Sequence, residues 1–138
     1  MPWEAALAEA GYRLTASRCA IIAALRATDT PLAPLELLER GRAEHPKLGL
    51  VTIYRTLDVL ERLSLVRRVH REDGCHGYLP AAPGHRHALL CRGCGRAVEF
   101  PGCEGLETLI AEVQVNTGYR VEEHLLQLVG LCPACQVV

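Results

Sequence analysis

Apolar residues recur at helical spacing through the first half of the chain. Together with capping signals they predict four short helices, over residues 3–10, 16–26, 34–44 and 50–63. Thr15 is placed to cap the second helix, and Pro34 suits the first turn of the third. The fourth helix has the clearest pattern, with one apolar face formed by Leu50, Ile53, Leu57 and Leu60.

From residue 65 onward the helical spacing gives way to short apolar runs. Residues 65–79 surround Asp73-Gly74, a dipeptide typical of a hairpin turn. Helices followed by a hairpin are the order of a winged helix-turn-helix, so residues 1–80 are predicted to form a DNA-binding domain of that kind. The proline- and glycine-rich run that follows predicts a hinge at 81–84. This leaves 85–138 as a second domain.

The second domain is predicted to mix strands with one helix. Apolar runs at 88–91 and 97–100 flank a glycine-rich turn and predict a second hairpin. A strand over 121–129 is expected near the end. Between them a helix is predicted over 104–116, with Gly118 as its C-cap. It should carry one apolar face, formed by Leu106, Leu109, Ile110 and Val113. The predicted fold class is therefore α+β.

The composition allows a folded core but no membrane span. Hydrophobic residues make up 49% of the 138 residues, and no apolar run approaches the roughly 18 residues that a bilayer requires. The first residues lack the basic start of a signal peptide, so a cytoplasmic protein is expected. Net charge is −1, yet residues 1–71 carry eleven Lys or Arg against eight Asp or Glu, whereas residues 72–138 carry four against eight. This distribution favours nucleic acid as a partner of the first half.

Four of the seven cysteines form two C-x-x-C pairs. A reducing cytoplasm argues against a disulfide framework. A redox dithiol of the thioredoxin kind needs a βαβ setting, which neither pair has. Zinc in structural sites prefers thiolates in tetrahedral geometry, and each C-x-x-C turn brings two sulfurs together. The sequence thus predicts one structural zinc, or a similar thiophilic metal, per chain, bound by Cys91, Cys94, Cys132 and Cys135.

A second group of metal-binding residue types surrounds the predicted hinge. In an extended segment His85 and His87 point the same way, so both can reach one ion. The pattern predicts a second, exchangeable metal and leaves its ligands open among His70, Cys75, His76, His85, His87, Glu99, Cys103 and His124.

Six motifs follow one another along nearly the whole chain: Gly49-Leu-Val-Thr-Ile-Tyr-Arg-Thr-Leu57, His85-x-His87, Cys91-x-x-Cys94-Gly95, Val98-Glu99-Phe100, His124 and Cys132-x-x-Cys135. In this order they resemble the ferric uptake regulator (Fur) family. The resemblance implies a metal-sensing, dimeric bacterial DNA-binding repressor, with an N-terminal winged helix domain and a C-terminal α/β dimerisation domain. Within the family, Cys75 with His85, Glu99 and Cys103 looks most like the zinc uptake regulators.

The resemblance also implies which residues bind the exchangeable metal. A sensory zinc site at the hinge would use His70, Cys75, His85 and Glu99. Its thiolate favours zinc over Fe²⁺ or Mn²⁺. A further metal site would draw on His85 or His87, together with a carboxylate and one more histidine: Glu104 or Glu107, and His124. Many family members have four consecutive histidines before the first cysteine pair, whereas this chain has His85-Arg86-His87-Ala88.

A homodimer would present two recognition helices to a pseudo-palindromic, double-stranded operator. On the fourth helix Thr52 and Arg55 lie away from the apolar face, where Arg55 can reach a guanine edge or a phosphate. Tyr54 sits near the edge of that face. Core packing is the alternative to the DNA contact that the resemblance implies for it. Three residues around the start of the second helix complete the predicted DNA-contacting set: Arg13, which resembles the family's minor-groove residue, Thr15, and Arg18 as a phosphate contact.

Three alternatives stay open. An enzyme with a zinc-activated water needs an open metal position beside a general base. The motifs H-E-x-x-H and H-x-E…P-C-x-x-C are absent, so neither a catalytic residue nor a small organic substrate is predicted. A structural zinc-binding adaptor without a sensory role predicts one metal per chain and no metal-dependent DNA binding. An iron-, manganese- or peroxide-responsive regulator of the same family would use the same scaffold.

Overall fold

The computed structural model describes residues 2–102 and 104–136. Within them no helix is long and apolar enough to cross a bilayer. The four predicted N-terminal helices are confirmed as Trp3–Glu9 (α1), Ala16–Arg26 (α2), Pro34–Arg42 (α3) and Leu50–Arg62 (α4). Thr15 caps α2, because its hydroxyl oxygen accepts a hydrogen bond from the Arg18 backbone N–H at 3.2 Å.

The predicted hairpin after α4 is also confirmed. Strand β1 (Val66–His70) pairs antiparallel with β2 (His76–Pro80), and Leu32 forms an isolated bridge to Tyr78 on β2. The order α2, α3, α4, β1, β2 is that of a winged helix-turn-helix, in which α4 takes the place of the recognition helix and the hairpin that of the wing.

One apolar core holds this first lobe together. Its fourteen buried members all lie between Trp3 and Tyr78, and Leu25, Ile53 and Leu60 are fully buried. Burial of each such side chain stabilises the fold by about 1.5–3 kcal/mol. The apolar face predicted for α4 is therefore confirmed, since it packs against α2 and α3.

The second lobe is built on a three-stranded sheet of order β4-β3-β5. Strand β3 (Arg86–Cys91) pairs antiparallel with β4 (Ala97–Pro101), as the second hairpin was expected to. Helix α5 (Glu104–Thr117) follows, and β5 (Gln127–Gly130) returns to the other edge of β3 in parallel orientation.

The strand predicted over 121–129 is wrong at its beginning. Residues 118–126, here called the crossover segment, have no regular secondary structure. Parallel pairing of β5 with β3 requires a long connection, and α5 with the crossover segment supplies it. The Val121 backbone N–H donates to Gln114 Oε1 at 2.9 Å, which ties the segment to α5. His124, expected in the strand, lies in this segment instead.

The apolar face predicted for α5 is incompletely covered within one chain. Leu106 and Ile110 are half-buried, whereas Leu109 is 54% and Val113 39% exposed. A helix with an apolar stripe normally buries it against another element. This face of the second lobe is therefore available to another surface.

The wing and the second sheet pack against each other. Val69 and Leu79 of the wing form a small apolar cluster with Ala88 and Leu90 of β3. Ion pairs also join the two lobes, among them Arg67 with Glu99 and Arg96 with Asp29.

Candidate metal centres and DNA-binding surface

The two C-x-x-C pairs meet at one end of the second sheet. Cys91 ends β3, Cys94 lies in the turn that follows, and Cys132 and Cys135 lie in the turn after β5. Their four sulfur atoms all lie within 4.8 Å of one another, and the Cys94 and Cys132 sulfurs are 3.8 Å apart. In a tetrahedral zinc site with Zn–S bonds of about 2.3 Å, neighbouring sulfurs are about 3.8 Å apart. The donor set and its spacing therefore fit one zinc ion.

Backbone amides prepare this cysteine group for metal binding. The Cys132 backbone N–H donates to the Cys91 sulfur at 3.3 Å, and this bond, with that from Cys94, lowers the pKa of Cys91 to about 6. Hydrogen bonds with its neighbours Cys132 and Cys91 raise the pKa of Cys135 to about 12. Cys91 is thus favoured as a thiolate, whereas Cys135 is favoured as a neutral thiol. A divalent cation bound among the four sulfurs would favour the thiolate form of all of them.

Gly93 is required by the same turn. A Cβ atom at this position would lie 2.8 Å from the Cys135 sulfur, closer than any normal contact. The second turn thus packs directly on the backbone of the first. A side chain at residue 93 would push the two cysteine pairs apart.

Three histidines form a second ligand group. Their ring nitrogens lie within 4.8 Å of one another, and the Nε2 atoms of His85 and His124 are 3.1 Å apart. Nitrogens bound to one tetrahedral zinc at about 2.0–2.1 Å are about 3.3 Å apart. His87 projects from β3, His85 directly precedes that strand, and His124 comes from the crossover segment. We call these three residues the histidine group.

His87 is the member whose environment is most informative. It is buried, and its Nε2 atom has no hydrogen-bond partner among the described residues. Burial lowers the pKa of His87, and the neighbouring His85 and His124 lower it further. The ring is therefore favoured in its neutral form, which is the form that binds metal. A buried acceptor without a partner fits a cation between the three rings.

The other predicted ligands are placed less closely. His70 and His76 line the same cleft as the histidine group, with a volume of about 640 Å³. Cys75 is exposed in the wing turn. Among the described residues, no group of close ligand atoms unites His70, Cys75, His85 and Glu99.

Glu99 is engaged elsewhere in the structure. Its Oε2 accepts from Arg67 Nε at 2.5 Å, and its Oε1 accepts from the Ala82 backbone N–H at 2.6 Å. Glu107 lines a smaller pocket together with His85 and His124. Cys103 lies outside the described residues, as does the side chain of Glu104.

Sequence reasoning missed the partners that hold these segments together. Arg67 pairs with Glu99 across 32 residues of chain, and Gln127 pairs with His70 across 57. The position of a single arginine or glutamine in the sequence does not indicate a partner so far along the chain. Only the docking of wing and sheet brings them together.

The exposed face of α4 carries the predicted DNA-contacting residues. Tyr54 is 51% exposed, Arg55 is exposed and Thr52 is half-buried, while Ile53 and Leu57 point into the core. Within the described part of the chain, Arg55 has no carboxylate within ion-pair distance. Its guanidinium is therefore available to a base edge or a phosphate.

The start of α2 is occupied by internal contacts. Arg18 donates to the Arg13 carbonyl oxygen at 2.6 Å and lies over the Tyr12 ring at 5.8 Å from its centroid. Thr15 is used as the helix cap. Arg13 itself is exposed. This corner thus presents basic side chains, of which Arg18 is held in place by contacts within the chain.

The winged-helix lobe joined to a lobe with two ligand groups defines a metal-binding protein with a DNA-binding fold. A profile of the ferric uptake regulator family matches residues 9–129. The chain belongs to the ferric uptake regulator family. Its members are metal-responsive transcriptional regulators that bind DNA as dimers, and they are not enzymes.

Individual relatives carry both iron and zinc names. The chain is 32% identical over 130 residues to the zinc uptake regulation protein of Mycobacterium tuberculosis, covering 94% of this chain and 99% of that one. It is 31% identical over 133 residues to the ferric uptake regulation protein of Campylobacter jejuni, covering 94% and 83%. A solved zinc uptake regulator complexed with zinc and DNA has a TM-score of 0.79 at 24% identity, covering 97% of this chain and 90% of that chain. At that identity the likeness establishes the fold.

Proposed function

We propose that this protein is a zinc-responsive repressor that binds operator DNA in the cytoplasm when an exchangeable zinc occupies the site between its lobes. The observation that carries the proposal is the histidine group, which joins β3 to the crossover segment in the cleft beneath the wing. The proposal includes the division into a DNA-binding domain (1–80), a hinge (81–84) and a dimerisation domain (85–138).

Two metal sites have different roles in this proposal. Cys91, Cys94, Cys132 and Cys135 hold a structural zinc that joins the turns after β3 and β5. The histidine group holds the exchangeable ion, which gives the buried His87 Nε2 atom the partner that it lacks among the described residues. His70, Cys75 and Glu99 are the further candidate ligands, and recruiting Glu99 requires it to leave Arg67.

DNA binding depends on how the two lobes are arranged. A metal bound by His87 on β3 and His124 in the crossover segment would hold that segment against the sheet. The sheet in turn contacts the wing, because Val69 and Leu79 pack on β3. A metal that binds the DNA-competent arrangement more tightly shifts the population toward it. A coupling free energy of about 3 kcal/mol raises operator affinity roughly 150-fold.

A homodimer completes the reading of the operator. The uncovered face of α5 supplies an apolar surface for a second copy, and two α4 helices then address two half-sites about one helical turn apart. Arg55 and Tyr54 are the proposed base-reading pair, with Thr52 beside them. Arg13, Thr15 and Arg18 are the further proposed DNA contacts, with Arg13 in the minor groove and Arg18 at a phosphate.

Zinc is preferred to iron or manganese on the chemistry of the ligands. Cys75 is a thiolate candidate on the wing, and thiolates select zinc. The second candidate function is an iron or manganese sensor. It is favoured by the three histidine nitrogens and by Glu107 nearby, because such a set contains no sulfur.

Removal of the exchangeable metal tests the proposal. The purified dimer is treated until one zinc per chain remains in the cysteine group, and binding to a zinc-importer promoter fragment is measured. Added zinc should restore tight binding at concentrations where Fe²⁺ and Mn²⁺ do not. Unchanged binding after removal would support a non-sensing adaptor. Restoration by Fe²⁺ or Mn²⁺ alone would support the second candidate.

A further inference from the structure

The side chain of Gln127 connects the second sheet directly to the wing. Its Oε1 accepts a hydrogen bond from the His70 backbone N–H at 2.8 Å, and its Nε2 donates one to the His70 carbonyl oxygen at 2.7 Å. A single amide thus satisfies both backbone groups of a residue on β1, much as a neighbouring strand would. Because one partner is a donor and the other an acceptor, they also define which end of the amide faces which group.

The same few residues reach the histidine group. His124 lies three positions before Gln127, and Leu126 lines the same cleft as His85 and His87. Gln127 is also the first residue of β5, where it is paired with Ala88 of β3. Residues 124–127 therefore connect the candidate metal ligands to the wing over only four residues.

We propose that Gln127 is a positioning residue that transmits metal occupancy of the histidine group to the wing. This inference rests on the proposed function, since it takes the histidine group as the sensory site. With His124 held beside His85 and His87, residues 124–127 lose conformational freedom. The Gln127 amide then fixes His70, and with it β1, relative to the sheet.

Within the described part of the chain, the remaining contacts between the lobes reach the wing from β3, β4 and the turn between them and do not involve residues 124–127. Val69 and Leu79 pack on the sheet through apolar contact with β3, without involving the crossover segment. The pair of Arg67 with Glu99 joins β1 to β4. Among the described residues that hydrogen-bond to the wing, only Gln127 directly follows the crossover segment, which contains His124.

Two substitutions remove the amide in different ways. Gln127→Glu is nearly isosteric and keeps an acceptor for the His70 N–H, but it sets a carboxylate against the His70 carbonyl. Gln127→Met has similar length and neither strong donor nor acceptor. The matched control is Glu72→Gln, an equally conservative change at another contact between the lobes, the exposed pair of Glu72 with Arg92 at 3.4 Å.

Three quantities are measured for each protein: zinc retained by the cysteine group, zinc affinity of the histidine group without DNA, and operator affinity with and without exchangeable zinc. Both Gln127 variants should match wild type in the first two. Their zinc-dependent gain in operator affinity should fall roughly tenfold, because Gln127→Met loses both hydrogen bonds, whereas Gln127→Glu loses one and adds repulsion between its carboxylate and the His70 carbonyl. Glu72→Gln should keep the wild-type gain.

Each contrary outcome has a distinct meaning. An undiminished gain in both Gln127 variants would overturn the inference while leaving the proposed function intact. A wild-type protein without any zinc-dependent gain would overturn the proposed function as well. Loss of zinc affinity at the histidine group, in parallel with the gain, would show that Gln127 supports the ligands themselves and would also overturn the inference.

Discussion

The two lobes of this chain are stabilised in different ways. The first lobe closes fourteen buried residues into one core that needs nothing from outside the chain. The second lobe contributes only His87, Ala88, Leu90 and Cys91 to the buried set of the described residues. In place of a large core, the second lobe has a cysteine group that fits a zinc ion and a helix, α5, whose apolar face is left uncovered. The comparison indicates that the first lobe folds by apolar burial, whereas the second depends on metal and on a partner.

Loss of the cysteine group should have the largest effect. Cys132→Ser removes one zinc ligand, and structural zinc contributes on the order of 10 kcal/mol to the folding of small zinc domains. Amide hydrogen exchange should show the second lobe losing protection while α2 and α4 keep theirs. Cys19→Ser is the matched control, because Cys19 is exposed on α2, outside both ligand groups. Simultaneous loss of protection in both lobes would contradict this division.

A cavity in the first lobe should give the reverse result. Leu57 is 1% exposed, so Leu57→Ala should lower the free energy of unfolding of that lobe by about 2–5 kcal/mol. Zinc content should stay at the wild-type value. The control is Leu35→Ala on α3, where the side chain is 66% exposed. Chemical denaturation followed by helix signal and zinc release distinguishes the lobes. Zinc release at the same denaturant concentration as helix loss would argue against their independence.

The uncovered face of α5 should matter only for the dimer. Val113→Asp places a charge on that face and forfeits about 1.5–3 kcal/mol of burial per chain, so the dimer dissociation constant should rise at least about tenfold. Val115→Asp introduces the same charge on the opposite side of the helix, where the residue is 83% exposed. Sedimentation equilibrium measures both. Equal dissociation constants for the two variants would place the dimer contact elsewhere.

A pH-dependent ion pair should give the smallest effect. Glu36 accepts a hydrogen bond from Arg71, which lowers the pKa of this carboxyl below its ordinary value of 4.5, and it also accepts from the Ala33 N–H. A carboxyl with a lowered pKa stabilises the fold above pH 4.5, and this contribution is lost as pH falls through the folded value.

Glu36→Gln should therefore cost under about 1 kcal/mol at neutral pH, because the pair is partly exposed and screened by solvent. Its difference from wild type should shrink on acidification. Unfolding of the first lobe, followed between pH 7 and pH 3, measures it. A difference that grows toward low pH would contradict the assigned role of Arg71.

Much of the fold follows from local patterns in the sequence. The α4 periodicity, the Thr15 cap and the Asp73-Gly74 turn each fix structure within a few residues, and all three are present. The strand predicted over 121–129 is wrong over 121–126, because the apolar residues of this stretch do not reveal that a parallel strand needs a long connection.

The histidine group depends on that connection. His85 and His87 are close in sequence, but His124 reaches them only because the crossover segment folds back across β3. The sequence places both Glu99 and Glu107 among the candidate ligands. It does not show that Arg67 occupies Glu99, since that contact forms only when the wing docks on the sheet. The ligands of the exchangeable metal are thus decided by tertiary contacts. The four cysteine ligands, by contrast, can be recognised from the local spacing of the two C-x-x-C pairs.

The most direct test of the account is the zinc response of a chain whose histidine group is disabled while its cysteine group is intact. Operator affinity of the double variant His85→Gln/His124→Gln is measured with and without saturating zinc, beside wild type, after confirming one retained zinc per chain. The account predicts a large zinc-dependent gain for wild type and none for the variant. A variant that retains one zinc per chain and still gains operator affinity on zinc addition as wild type does would contradict it.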